Sequence, residues 1–219
     1  HLTAKPALDQ QFNLDFSDVN NVVIVGDFFN HQADFDSFGP PAGGEKERME
    51  TVLREIVPEA FSGKIFFIFS AHSHDPYLLE ISRLEVDDFE FIFLGEYGKF
   101  LVDGKQHIVA FHGGQLHEGI IGGGIAWLAK KVGQEVPLEK LGKKRFDIPA
   151  DTWVVNGHSH VPGIDQKAKV ANTGSFVGAP FNKFIFRIHI GTGILFDGEK
   201  VELLEYEGLN IKKLYLFSI

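Results

Sequence analysis

Short apolar runs rich in β-branched and aromatic residues recur along the chain, and each gives way to glycine or to a side chain that can hold a proton or a metal. Asn21 to Gly26 is the first, Ile65 to Phe69 the next, then Gln106 to Phe111 and Thr152 to Asn156. They are too short for stable helices and apolar at successive positions, so they read as strands buried on both faces. A sheet of such strands must be covered on both sides, which restricts the chain to layered architectures. Between the first two runs, Met49, Val52, Leu53 and Ile56 fall at i, i+3, i+4 and i+7 within Glu45 to Val57, the spacing of an amphipathic helix that Pro58 stops.

The rest of the sequence is dominated by strands. Phe89 to Leu94 and Tyr97 to Val102 predict two more, and Asp103-Gly104 predicts a hairpin turn into Gln106 to Phe111. A glycine-rich, partly helical segment from Gln115 to about Gly133 follows, then a polar connection. After Thr152 to Asn156 the pattern predicts strands over Ala168 to Ala171, Phe184 to Ile190, Gly193 to Phe196, Val201 to Tyr206 and Ile211 to Phe217. No fixed-period repeat, low-complexity tract or composition break marks a linker, so residues 1–219 read as a single domain. An early β-α-β unit followed by many strands predicts an α/β (α+β) fold, with two mixed β-sheets packed as a sandwich and flanked by α-helices.

Composition narrows the chemistry. The formal charge of −9 comes without any block of consecutive Lys or Arg, so stable nucleic-acid binding is not expected. With no cysteine, a metal would have to be held by His, carboxylate or neutral oxygen ligands, and the same absence suits a reducing, cytoplasmic setting. The stretch from Gly119 to Ala129 is far short of the roughly 20 residues a spanning helix needs, so no transmembrane segment is expected. The opening His1-Leu2-Thr3-Ala4-Lys5 does not lead into the apolar core of a signal peptide.

Four strand ends carry groups that bind metals: Asp27, the cluster from His72 to Asp75, His112, and His158 with His160. In α/β sheets the crevice outside the strand carboxyl ends collects ligands, so these groups are placed to converge. Each has an ordinary use alone, as a turn, a helix cap or a surface histidine. Their convergence would suit a dinuclear site, in which a carboxylate bridges two cations and imidazoles fill outer positions. His107, His117 and His189 read as ordinary histidines, and Ile120, Ile121, Ile125, Trp127 and Leu128 as a packed helix face.

Gly26-Asp27, Ser73-His74-Asp75, His112-Gly113 and Gly157-His158-Ser159-His160, in that order, resemble the calcineurin-like metallophosphoesterase superfamily. Asn172-Thr173-Gly174-Ser175 stands where that family has an Asn-Pro-Gly-Ser turn, and together the matches run over residues 1 to about 180. His1-Leu2 matches the tail of the family's Asp-x-His motif, which implies that the first strand and one metal-binding Asp lie upstream of residue 1. Ser73 departs from the family's metal-binding Asn, and a hydroxyl is the shorter and weaker ligand.

The resemblance implies two divalent metal ions, with Mn first and Fe, Zn, Co, Ni or Mg as alternatives. His1 and His160 would serve one, His112, His158 and Ser73 the other, with Asp27 bridging. His74 would stabilise or protonate the leaving oxygen, helped by a carboxylate partner such as Asp75. Asn30 and Asp75 would contact the substrate, a small phosphorylated molecule. The expected reaction is hydrolysis of a phosphodiester or pyrophosphate bond, with two cations lowering the pKa of a bridging water and neutralising phosphoryl oxygens. A homodimer is compatible with the unlocated edge strands. The alternative is a non-catalytic scaffold of the same fold, which Ser73 favours and which the retention of Asp27, His74 and both histidines of Gly-His-Ser-His opposes.

Overall fold

The computed structural model describes residues 20–26, 35–38, 43–57, 61–70, 75, 78, 80–116, 119–174, 192–197 and 200–205. The first sheet contains β1 (Asn21–Val25), β2 (Lys64–Ile68), β3 (Arg83–Val86) and β4 (Phe89–Gly95), in the spatial order β1-β2-β4-β3. The β1-β2 and β2-β4 pairs are parallel, and β3 closes the edge antiparallel to β4. Helix α1 (Glu45–Ile56) is the crossover between β1 and β2. It starts at Gly44, whose backbone N–H donates to the Glu47 carboxylate at 2.6 Å.

The second sheet repeats this plan. It holds β5 (Tyr97–Val102), β6 (Gln106–Phe111), β7 (Trp153–Asn156), β8 (Gly163–Asp165) and β9 (Val170–Asn172), ordered β5-β6-β7-β9-β8. Its three central strands run parallel, and both edge strands are antiparallel to their neighbours. Asp103 and Gly104 both have positive φ, 49° and 67°, the geometry of the hairpin turn their sequence predicts. Helices α2 (Gly119–Lys131) and α3 (Pro137–Arg145) lie between β6 and β7, and β10 (Thr192–Phe196) pairs antiparallel with β11 (Val201–Glu205).

Side chains alternate between two apolar layers, as a strand buried on both faces requires. Val22, Ile65, Phe67 and Phe91 pack with Met49, Val52 and Leu53 of α1 on one side of the first sheet. Val23, Val25 and Ile68 face the other way and share a core with Ile108, Ala110, Trp153 and Val155 of the second sheet and with Ile194 and Phe196 of β10. Phe111, Val154 and Val170 form the outer layer of the second sheet with Val136, next to α3. The described residues thus form a mixed α/β assembly with mixed sheets and helices to either side, the coarse architecture expected.

Several features differ from expectation. The polar connection before β7 contains α3, whose buried face is Leu138, Glu139 and Gly142. With a carboxylate and a glycine on that face, no hydrophobic period marks the helix. β3 and β8 were also absent from the expected strands; both are short edge strands, and only alternate residues of β3 are buried. Among the described side chains of helix α2, Gly122 and Ala126 are the buried ones. Ile125, Leu128 and Val132 are 50%, 60% and 75% exposed, contrary to the packed face expected for Ile125 and Leu128. Small residues set the buried contact, and Ile125 and Leu128 point outward. The strands expected over 184–190 and 211–217 lie outside the described residues. Among the described residues no helix is long and apolar enough to cross a membrane.

Candidate metal centre

Strands β1, β6 and β7 bring their carboxyl ends together although β1 belongs to the other sheet. His112 follows β6 and is 1% exposed. Its Nδ1 lies 3.1 Å from the carbonyl oxygen of Val25, the last residue of β1. A carbonyl only accepts, so Nδ1 carries the proton and Nε2 presents a lone pair. That lone pair faces His158 Nδ1 at 2.7 Å, with the two rings edge to face at 74°. A buried imidazole whose tautomer is fixed by a backbone carbonyl is the arrangement that orients histidine ligands in metal sites.

Backbone bonds hold the second histidine in place. The His112 carbonyl accepts from the N–H groups of both Gly157 and His158, at 3.3 and 3.0 Å. His160 N–H returns to the Gly157 carbonyl at 3.0 Å, which closes a tight turn with His160 at φ 56°. Two glycines permit the close approach. A Cβ on Gly26 would stand 2.4 Å from His112 Nδ1, and Gly26 also has φ 69°. Gly113 has φ 106° and lies against His158 and Asn156.

Of the residues expected at the site, the structure brings His112 and His158 into contact and places His160 on the same turn as His158. Asp75 is buried, and its Oδ2 accepts from the Ser70 backbone N–H at 3.0 Å just beyond β2. His1, Asp27, Asn30, Ser73 and His74 lie outside the described residues. Among the described residues no group of three or more His, Asp or Glu side chains gathers to hold a metal. Phe111, one residue before His112, turns to the opposite side of the sheet. There it lines a cavity of about 570 Å³ with Tyr97, Phe100, His107, Phe146 and Ile148.

Beneath the histidine turn is a buried polar cluster that sequence reasoning did not assemble. Asn172 Nδ2 donates toward Glu139 Oε1 at 2.6 Å, Asn156 Oδ1 at 2.7 Å and Ser159 Oγ at 3.0 Å. Asn172 Oδ1 accepts from Gly174 N–H at 2.8 Å, which fixes the orientation of the amide. Burial pushes the Glu139 carboxyl up to about 7, against the Asn172 hydrogen bond, which favours the ionised form. Asn172 was visible in the sequence as part of a turn motif. Glu139 had no signal beyond being an acidic residue in a charged segment.

No protein-family model, curated protein or solved structure matches the chain.

Proposed function

We propose that this chain is a metal-dependent phosphoesterase of the calcineurin-like type, hydrolysing a phosphodiester or pyrophosphate bond in a small substrate. One contact carries this reading: the 2.7 Å approach of His112 Nε2 to His158 Nδ1, with the Val25 carbonyl on the far nitrogen of His112. Without a cation, one ring must donate its proton to the other. With a cation, both nitrogens can supply lone pairs from neutral rings, a donor set that suits Mn, Fe, Co, Ni and Zn. His112 and His158 would hold one ion with Ser73, while His160 and His1 would serve the second. Asp27, the residue after Gly26, would join the two ions.

The bound ions would supply positive charge against phosphoryl oxygens and acidify water. The protein's own groups do the rest. His112 keeps its proton on Nδ1 because the Val25 carbonyl accepts it there, so in the neutral ring the lone pair sits on Nε2. His74 would donate a proton to the leaving oxygen, and Asp75 would hold the segment before it by binding the Ser70 N–H.

The test is hydrolysis of bis-p-nitrophenyl phosphate beside p-nitrophenyl phosphate after metal stripping and Mn²⁺ re-addition. Metal-restored turnover that prefers the diester is expected. Asp27→Asn should abolish turnover and weaken metal binding, whereas His74→Asn should reduce turnover and keep most of the metal. Equal metal loss in both variants would overturn the assigned roles. Absence of both turnover and bound metal would leave the scaffold reading.

A further inference from the structure

We propose that Glu139 is a positioning residue for the turn that carries His158 and His160, acting through the side chain of Asn172. Glu139 and Asn172 are 1% and 0% exposed. The connection runs through one amide. Asn172 Nδ2 has two hydrogens and three acceptors within 3.0 Å: Glu139 Oε1, Asn156 Oδ1 and Ser159 Oγ. Asn156 ends β7 just before the turn, and Ser159 lies between the two histidines. Ser159 Oγ also accepts from Val161 N–H at 3.4 Å, on the far side of His160.

Two features make this more than packing. His160 has φ 56°, a left-handed conformation that a non-glycine residue keeps only where its surroundings hold it. Among the described residues, the buried Asn156 side-chain nitrogen has no hydrogen-bond partner. Asn156 is therefore held in the cluster through its oxygen, which the Asn172 amide supplies with a hydrogen. Remove the carboxylate, and the two Asn172 hydrogens redistribute between Asn156 and Ser159, shifting the turn from both ends. A buried carboxylate is a costly way to fill space, since an apolar side chain would carry no such desolvation penalty.

The metal arm of the test rests on the proposed function; the imidazole arm does not. In the metal-free full chain, the side-chain ¹H–¹⁵N resonances of His158 and His160 are compared among wild type, Glu139→Leu and Glu139→Gln. Glu139→Leu should move both sets, and Glu139→Gln, which keeps an acceptor for Asn172, should restore them. Apparent Mn²⁺ affinity should fall about tenfold in Glu139→Leu and recover in Glu139→Gln. A folded Glu139→Leu protein with wild-type histidine resonances would overturn the proposal, as would Glu139→Gln shifting them equally far. If Glu139→Leu does not fold, Ser159→Ala interrupts the same bonds from the other end: displaced His158 and His160 resonances support the proposal, and unchanged ones overturn it. Resonances that move as expected in a protein that binds no Mn²⁺ would uphold the positioning role and sink the phosphoesterase reading.

Discussion

Glu139 carries its carboxyl into a buried setting, 1% exposed. Its carboxyl, ordinarily at 4.5, is pushed up to about 7 because burial penalises the charged form more than the Asn172 amide and nearby Lys140 favour it. A carboxyl raised on folding gives its full stability below the unfolded pKa and loses it as pH rises through the folded one. Between about 4.5 and 7 the folded chain therefore holds a proton that the unfolded chain has released. Urea midpoints of wild type and Glu139→Gln, measured at pH 5 and pH 8, should diverge with rising pH in favour of Gln, by at most about 3 kcal/mol. A constant difference would show that Glu139 does not titrate in this window. His112 and His158 stood out in the sequence as candidate site residues because a strand end followed by Gly or preceded by it is a distinctive pattern, and the structure brings the two rings into contact. Glu139 was not, since nothing in a string of Lys, Leu and Glu says which of them faces inward.

Among the elements, strands were legible where both faces are apolar and helices only where the buried face is. Helix α1 has Met49, Val52 and Leu53 on one side, and its limits could be read within a residue. Helix α3 buries Glu139 and Gly142, so its one visible signal was Pro137 at the first turn, a favoured helix start. Lys143 adds to its attachment by donating to the carbonyls of Thr152 and Ala168 at 2.6 and 2.8 Å, a role no periodicity encodes. The junction between β1 and β6 depends on Gly26. Gly26→Ala puts a methyl on the His112 ring in a backbone conformation that alanine resists. It should cost about 1–3 kcal/mol in urea unfolding and displace the His112 Nδ1–H resonance from its wild-type position. An unchanged midpoint and resonance would mean the ring has room to retreat.

At the scale of the molecule, the sequence announced strands and a layered α/β arrangement but not which strand belongs to which sheet. Partner choice is made by non-local contacts, and the antiparallel edges β3 and β8 have too few residues to signal themselves. The inter-sheet core is where the parts meet: Trp153 of β7 stands edge to face with Phe196 of β10 at 5.5 Å, and both are buried. A two-stranded hairpin such as β10-β11 is marginal by itself and relies on this docking. Phe196→Ala should therefore cost about 3–5 kcal/mol. Tryptophan fluorescence and far-UV circular dichroism should still report one coincident transition; separated transitions would show the hairpin melting independently of the sheets.

The second sheet carries both His112 and His158, but the carbonyl that fixes the His112 tautomer belongs to the first. On a ribosome, β1 emerges long before His158, and His112 gains the acceptor that fixes its tautomer only after both sheets have met. Docking of the two halves therefore acts as an assembly checkpoint for the histidine pair.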